Sequence, residues 1–159
     1  MSERKTTIAV IGASDASQRE IARAEEVGRL VAERGAALVC GGLGGVMEAA
    51  CRGAKQAGGT TIGILPMYAR NAANPFVDYA IATGLGHARN VIVASSADAV
   101  IAVGGKTGTL SEIAFALKNG ITVVSMDSWK LDPVRTPAGN YIIADSPEEA
   151  VKAAFDAIK

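Results

Sequence analysis

Apolar runs and helical periodicities take turns along this chain. Residues 6–11 form a short apolar run that leads into the turn GASDAS. Over 17–34, Ile21, Ala24, Val27, Leu30 and Val31 recur at the spacing of one helical face. A strand at 36–40 follows, then a helix from a glycine cluster to about 57, then a strand at 60–65 ended by Pro66. Residues 68–75 read as a loop in which Pro75 restricts Asn74. A further strand is expected at 76–82 and a short helix at 87–94. The run 99–103 has no polar interruption and reads as a strand buried on both faces. Beyond it come a helix at 109–119 with Gly120 suited to its C′ position, and a strand at 121–126. A proline-bearing loop at 130–140 and an edge strand at 141–144 complete the sheet elements. The last helix opens on SPEE, with Ser146 as N-cap, Pro147 at N1 and Glu149 at N3.

Alternating strands and helices with short connections predict an α/β fold: a Rossmann-like three-layer α/β/α arrangement with a mostly parallel sheet. At 159 residues the chain fits a single domain, 1–159, large enough to bury an ordinary core. Hydrophobic residues reach 49%, much of it alanine, while aromatics are 4%, so helices and sheet should meet through small side chains. The 16 basic and 16 acidic residues cancel, which removes the polybasic surface that nucleic acid or an anionic membrane would need. Two cysteines and one histidine exclude most recurrent zinc patterns, so no metal site is expected. Cys40 and Cys51 read as buried free thiols, which suits a reducing compartment. The N-terminus has no signal-peptide apolar block, and Ser95, Ser96 and Asp98 interrupt the apolar run 91–103, so a cytoplasmic protein is expected.

Candidate chemistry sits in two glycine clusters, CGGLGGVMEAA at 40–50 and VGGKTGTLSEIAFAL at 103–117. Each lies where a strand hands over to a helix. Glycines there permit tight turns and close approach, and free N–H groups at a helix start favour an anion. In a parallel sheet both turns belong to the carboxyl edge, so they predict one crevice for a phosphorylated ligand. The candidate binding residues are Gly41, Gly42, Gly44, Gly45 and Met47, then Gly104, Gly105, Lys106, Thr107, Gly108 and Thr109. Gly12 and Ser14 of GASDAS are either contacts or a plain turn, since the segment lacks GxGxxG. GGKT is not a P-loop, because Val100 stands where GxxxxGK[ST] requires glycine.

Several side chains carry two readings. Lys106 faces either solvent or a phosphate. Thr109 and Glu112 spell a capping box, with Thr109 as N-cap and Glu112 at N3. A carboxylate on that turn also faces the crevice, where it can accept from ribose hydroxyls or stabilise charge on a leaving sugar. Arg89 is by residue type an exposed helix arginine, and by chemistry a planar fork for phosphate oxygens. His87 reads as surface or local packing, and Glu48 as support for its helix start. Asp127 and Trp129 are weaker candidates; Trp129 either packs or covers a ligand ring.

Three segments together resemble a known family: GGLGGVMEAACRGA at 41–54, GIxP at 63–66 and GHARNVIVASSADAVIAVGGKTGTLSE at 86–112. They resemble the LOG or "lysine decarboxylase-like" superfamily over nearly the whole length. The nearer match is to its small members with a GGxxGVMEA opening, which include hypothetical proteins and molybdenum cofactor carrier proteins. The resemblance implies that the family's PGGxGTxxE falls on Val103 to Glu112, with Glu112 the glutamate needed for hydrolysis. It also implies that the arginine of M-x-x-R-K falls on Arg89, that the second glycine cluster binds phosphate, and that the chain forms a homodimer or homotetramer. The chain departs from the hydrolase pattern at Val103 for proline, Asn90 for lysine, Gly86 for methionine and Glu48 for the last glycine of GLMG.

Two functions follow from the resemblance. One is binding of a nucleotide or nucleotide-like phosphorylated cofactor, with the pterin-based molybdenum cofactor as cargo; its dithiolene holds the metal, and the sequence itself requires no cofactor. The other is nucleoside 5′-monophosphate phosphoribohydrolysis, with Arg89 and Glu112 as the catalytic pair, releasing base and ribose 5-phosphate. A nucleotide-sensing role is a third. The partner in each case is a phosphorylated small molecule, not nucleic acid or membrane, and the residues leave open whether catalysis occurs.

Overall fold

The computed structural model describes residues 3–158. Its strands are β1 (Thr7–Gly12), β2 (Ala37–Cys40), β3 (Thr61–Leu65), β4 (Tyr79–Ala82), β5 (Ala99–Val103), β6 (Val123–Met126) and β7 (Tyr141–Ile143). The helices are α1 (Gln18–Glu33), α2 (Val46–Gln56), α3 (Asn90–Ser95), α4 (Thr107–Lys118) and α5 (Pro147–Ala157). The strands form one sheet in the order β4-β3-β2-β1-β5-β6-β7, and every pairing is parallel. Ile8 of β1 sits between Leu38 of β2 and Ala99 of β5. The direction of strand addition therefore reverses at β1, and an open parallel sheet has its crevice beyond the carboxyl ends at such a reversal.

The pleat divides the core in two. Ile8 and Val10 of β1 join Val27, Leu38, Val46, Ile101 and Val151 on one face, beneath α1, α2 and α5. Ala9 and Ile11 join Val39, Val93, Val100, Ile113 and Val123 on the other, beneath α3 and α4. Strands buried on both faces need apolar side chains at every position, which is why 99–103 reads as an unbroken run. The α1–α2 contact uses small residues: a Cβ on Gly28 would lie 1.9 Å from the Ala50 carbonyl oxygen, and one on Gly53 1.8 Å from that of Glu25. Among the described residues no helix is long and apolar enough to cross a membrane.

Three local expectations need correction. Helix α4 begins at Thr107, its N-cap is Lys106, and no side chain caps it, so Thr109 and Glu112 are interior residues and not a capping box. Gly104 and Gly105, at φ 56° and 98°, turn the chain so tightly after β5 that the helix starts two residues early. The strand expected from 76 begins at Tyr79. Before it, the Thr61 hydroxyl donates to the Phe76 carbonyl at 2.6 Å and Thr61 N–H donates to the Asp78 carboxylate, so side-chain bonds join the backbone bond from Asp78 N–H to the Thr61 carbonyl where a regular ladder would run. The loop at 68–75 contains a 3₁₀ turn at Arg70–Ala72, and a second one, Gly86–Arg89, precedes α3. At α5 the expected start is present: Ser146 is the N-cap and accepts from Glu149 N–H at 3.2 Å, Pro147 opens the helix, and the Glu149 carboxylate accepts from Asp145 N–H. The complete capping box belongs to α1, between Ser17 and Glu20.

Candidate ligand-binding cleft

At the carboxyl ends of β1, β2 and β5 lies a cleft of about 200 Å³. Gly12 and Ser14 enter its wall from the β1 turn, Gly41 and Met47 from the first glycine cluster, and Lys106, Gly108 and Thr109 from the second. Arg89 and Glu112 complete the set, so segments far apart in sequence meet in one place. Leu43, Pro66, His87 and Asn90 also line it. Of these, Leu43 and Pro66 carried no chemical signal, and Asn90 stood out only as a departure from the hydrolase pattern.

Gly42, Gly44, Gly45, Gly104, Gly105 and Thr107 lie outside the lining. Most of these glycines shape the turns. Gly45 caps α2 at φ 64°, where a Cβ would come within 2.3 Å of the Ala13 carbonyl oxygen. Gly41 instead makes room for a side chain. A Cβ there would sit 2.6 Å from Arg89 Nη2, so only glycine lets the guanidinium lie against the end of β2.

That contact explains why Arg89 is buried, with 8% of its surface exposed, where residue type alone suggests an exposed side chain. Nη1 donates to Asn90 Oδ1, and Nη2 lies 3.4 Å from the Gly41 carbonyl it faces. Nε is buried and has no acceptor. An unmade bond from a buried donor costs about 1–3 kcal/mol, and more when the group is charged. Burial pulls the Arg89 pKa below its ordinary value, opposed by the negative charge of Glu112.

Glu112 faces the same space, also buried, with Oε1 3.9 Å from Arg89 Nη1. Its carboxyl accepts no hydrogen bond among the described residues. Burial lifts its pKa to about 7, against the pull of Arg89. Near neutral pH such a group can donate or accept a proton. Beside it, Leu110 N–H makes the first backbone bond back to the Lys106 carbonyl, and the N–H groups of Thr107, Gly108 and Thr109 find no acceptor among the described residues. Unpaired donors at the positive end of a helix and an under-satisfied guanidinium are groups whose chemistry an anion would complement.

The remaining candidates sit around this centre. Lys106 Nζ is 3.2 Å from the Asp15 carboxylate, with both side chains exposed. Trp129 is absent from the cleft lining; its Nε1 donates to the Lys106 carbonyl at 3.1 Å and the residue packs, half-buried, against the core cluster that holds Ile113 and Ala116. Asp127 takes a left-handed φ of 49° and pairs with Arg19 and Arg23, outside the lining. Cys40 and Cys51 are buried free thiols with their sulfurs 3.5 Å apart. Glu48 lies in the first turn of α2. Among the described residues no group of three His, Cys, Asp or Glu side chains is placed to hold a metal ion.

The SLOG cluster4 family model matches residues 5–151. The chain belongs to the SLOG cluster4 family. This SLOG cluster4 chain is 41% identical to the molybdenum cofactor binding protein of the phototrophic bacterium Rippkaea orientalis, with a TM-score of 0.90 over 99% of this chain and 100% of that one. It is 36% identical to the molybdenum cofactor carrier protein of Chlamydomonas reinhardtii, with a TM-score of 0.87 over 96% and 98% of the two chains. A cytokinin riboside 5′-monophosphate phosphoribohydrolase of Mycobacterium tuberculosis is 34% identical over 134 residues, 77% of this chain and 71% of the relative.

Proposed function

We propose that this SLOG cluster4 protein binds a phosphorylated, nucleotide-like cofactor in the cleft and carries the molybdenum cofactor as cargo in the cytoplasm. The observation that carries the reading is the buried Arg89 with an unpartnered Nε in a cleft that is also lined by Gly108 and Thr109, whose N–H groups are free at the start of α4. A phosphate there receives the fork of Arg89 and the helix donors at once, and relieves the cost of leaving Nε unbonded. Leu43, Met47 and Pro66 supply an apolar wall for a flat ring system. The cargo's own dithiolene holds its metal, so the chain needs no metal ligands. Likeness to the Rippkaea and Chlamydomonas proteins supports this choice of cargo. Protein purified from cells that make the cofactor should release a pterin in amounts matching the chain, and Arg89→Ala should release none. Pterin-free wild-type protein from such cells contradicts carriage.

The placement of the Glu112 carboxyl in the cleft wall beside Arg89 favours a second reading, phosphoribohydrolysis, as does the Mycobacterium relative. Arg89 and the α4 turn would hold a nucleoside 5′-monophosphate while Glu112 orients the ribose and stabilises positive character as the N-glycosidic bond breaks. Water then adds at C1′ and sheds a proton that the departing base nitrogen takes up, giving free base and ribose 5-phosphate. Freed base measured by mass spectrometry across a panel of nucleoside monophosphates tests this, with Glu112→Gln alongside. Release by wild type and none by the variant supports it; release by both removes Glu112 from the chemistry. The homodimer or homotetramer implied by the resemblance belongs to the same proposal and is read by sedimentation equilibrium.

A further inference from the structure

Arg89 does not lie free in the cleft. A guanidinium only donates, so the Asn90 side chain that receives Nη1 must present its Oδ1. Its Nδ2 is then aimed at Ser111 Oγ, 3.0 Å away. The hydroxyl accepts that bond and gives its own proton to the Gly108 carbonyl at 2.6 Å. Every link has one polarity, and the chain of bonds joins the guanidinium to the first turn of α4. Asn90 is buried, whereas Ser111 is absent from the cleft lining.

We propose that Asn90 and Ser111 are positioning residues that hold the Arg89 fork in register with the N-terminal turn of α4. The inference rests on the reading that the cleft takes a phosphorylated ligand. The middle of the relay must accept from the guanidinium and donate to the hydroxyl, and the Asn90 amide does so with two separate atoms. When the relay is cut, the Asn90 amide is either lost or no longer held against Nη1, and the carboxyl of Glu112, 3.9 Å from Nη1, offers a competing partner. The guanidinium then turns from the α4 donors toward Glu112, which weakens anion binding and lowers the Glu112 pKa. A merely local role for Ser111, closing a bond within its own helix, predicts neither change.

The test uses Ser111→Ala, Ser111→Thr, Asn90→Ala and the Asn90→Ala/Ser111→Ala double variant. AMP affinity is measured by calorimetry, and the Glu112 titration is followed by carboxyl ¹³C NMR in ligand-free protein. Loss of one positioning hydrogen bond should weaken AMP binding by about tenfold in Ser111→Ala. Ser111→Thr, which keeps the hydroxyl, should restore it. Asn90→Ala should cost at least as much, and adding Ser111→Ala to it should cost nothing further, because both cut one relay. The Glu112 titration should move to lower pH in Ser111→Ala and return in Ser111→Thr. Wild-type affinity and an unchanged Glu112 titration in Ser111→Ala overturn the proposal, as do additive losses in the double variant. If wild type binds no AMP while the titration still moves and returns, the relay stands and the reading of the cleft as a nucleoside monophosphate site falls.

Discussion

Replacing Glu112 with glutamine removes a carboxyl that folding makes much harder to ionise. Its ordinary pKa of 4.5 rises to about 7 in the folded chain because burial disfavours the carboxylate more than Arg89 favours it. Between those values the native state holds a proton that the unfolded state has released. Stability therefore falls as pH rises through this window, is unaffected below it, and carries the full penalty above it. At about 1.36 kcal/mol for each pH unit between the two pKa values, the penalty reaches roughly 3 kcal/mol above neutral pH. That is a large share of a typical folding stability of about 5–15 kcal/mol. Glutamine keeps the shape and has no charge to bury. Urea unfolding of both proteins at several pH values between 4.5 and 8 isolates the effect, since other titrating groups cancel in the difference. The two should agree near pH 4.5, and Glu112→Gln should be the more stable at pH 8. A difference that stays constant with pH, or a wild type that is the more stable at pH 8, would refute the dominance of burial and mean that Arg89 keeps Glu112 ionised.

Three further outcomes follow from the packing. Gly53→Ala drives a methyl into the Glu25 carbonyl across the α1–α2 contact and should lower stability by about 1–3 kcal/mol, read from the urea midpoint. Gly108→Ala meets open space in the cleft wall, so its midpoint should not fall, while AMP binding, measured by calorimetry, should weaken as the methyl crowds the free N–H groups. Cys40 and Cys51 are both buried, so an aromatic disulfide reagent should leave the folded protein unmodified and titrate both thiols after denaturation.

Much of the sheet was legible because its physics is local. The run 99–103 could only be a strand covered on both faces, and Gly120 at φ 72° ends α4 where a left-handed residue was expected. The start of α4 was not legible in the same way. Thr109 and Glu112 have capping-box spacing, but two successive left-handed glycines set the helix start before that spacing could act. The site divides similarly. Both glycine clusters could be placed at the carboxyl edge from strand–helix order alone. The burial of Arg89 depends on the missing Cβ of Gly41, far away in sequence, and the part played by Asn90 depends on Ser111 across the α3–α4 contact. Neither is a property of any one segment.

The measurement that bears most directly on the central claim is a crystal structure of the protein with the phosphorylated ligand that copurifies with it. The phosphate should accept hydrogen bonds from Arg89 Nε and from the Gly108 and Thr109 N–H groups, at donor–acceptor distances of about 2.7–3.2 Å. A ligand whose phosphate lies elsewhere, with Arg89 Nε still unpartnered, would contradict the account.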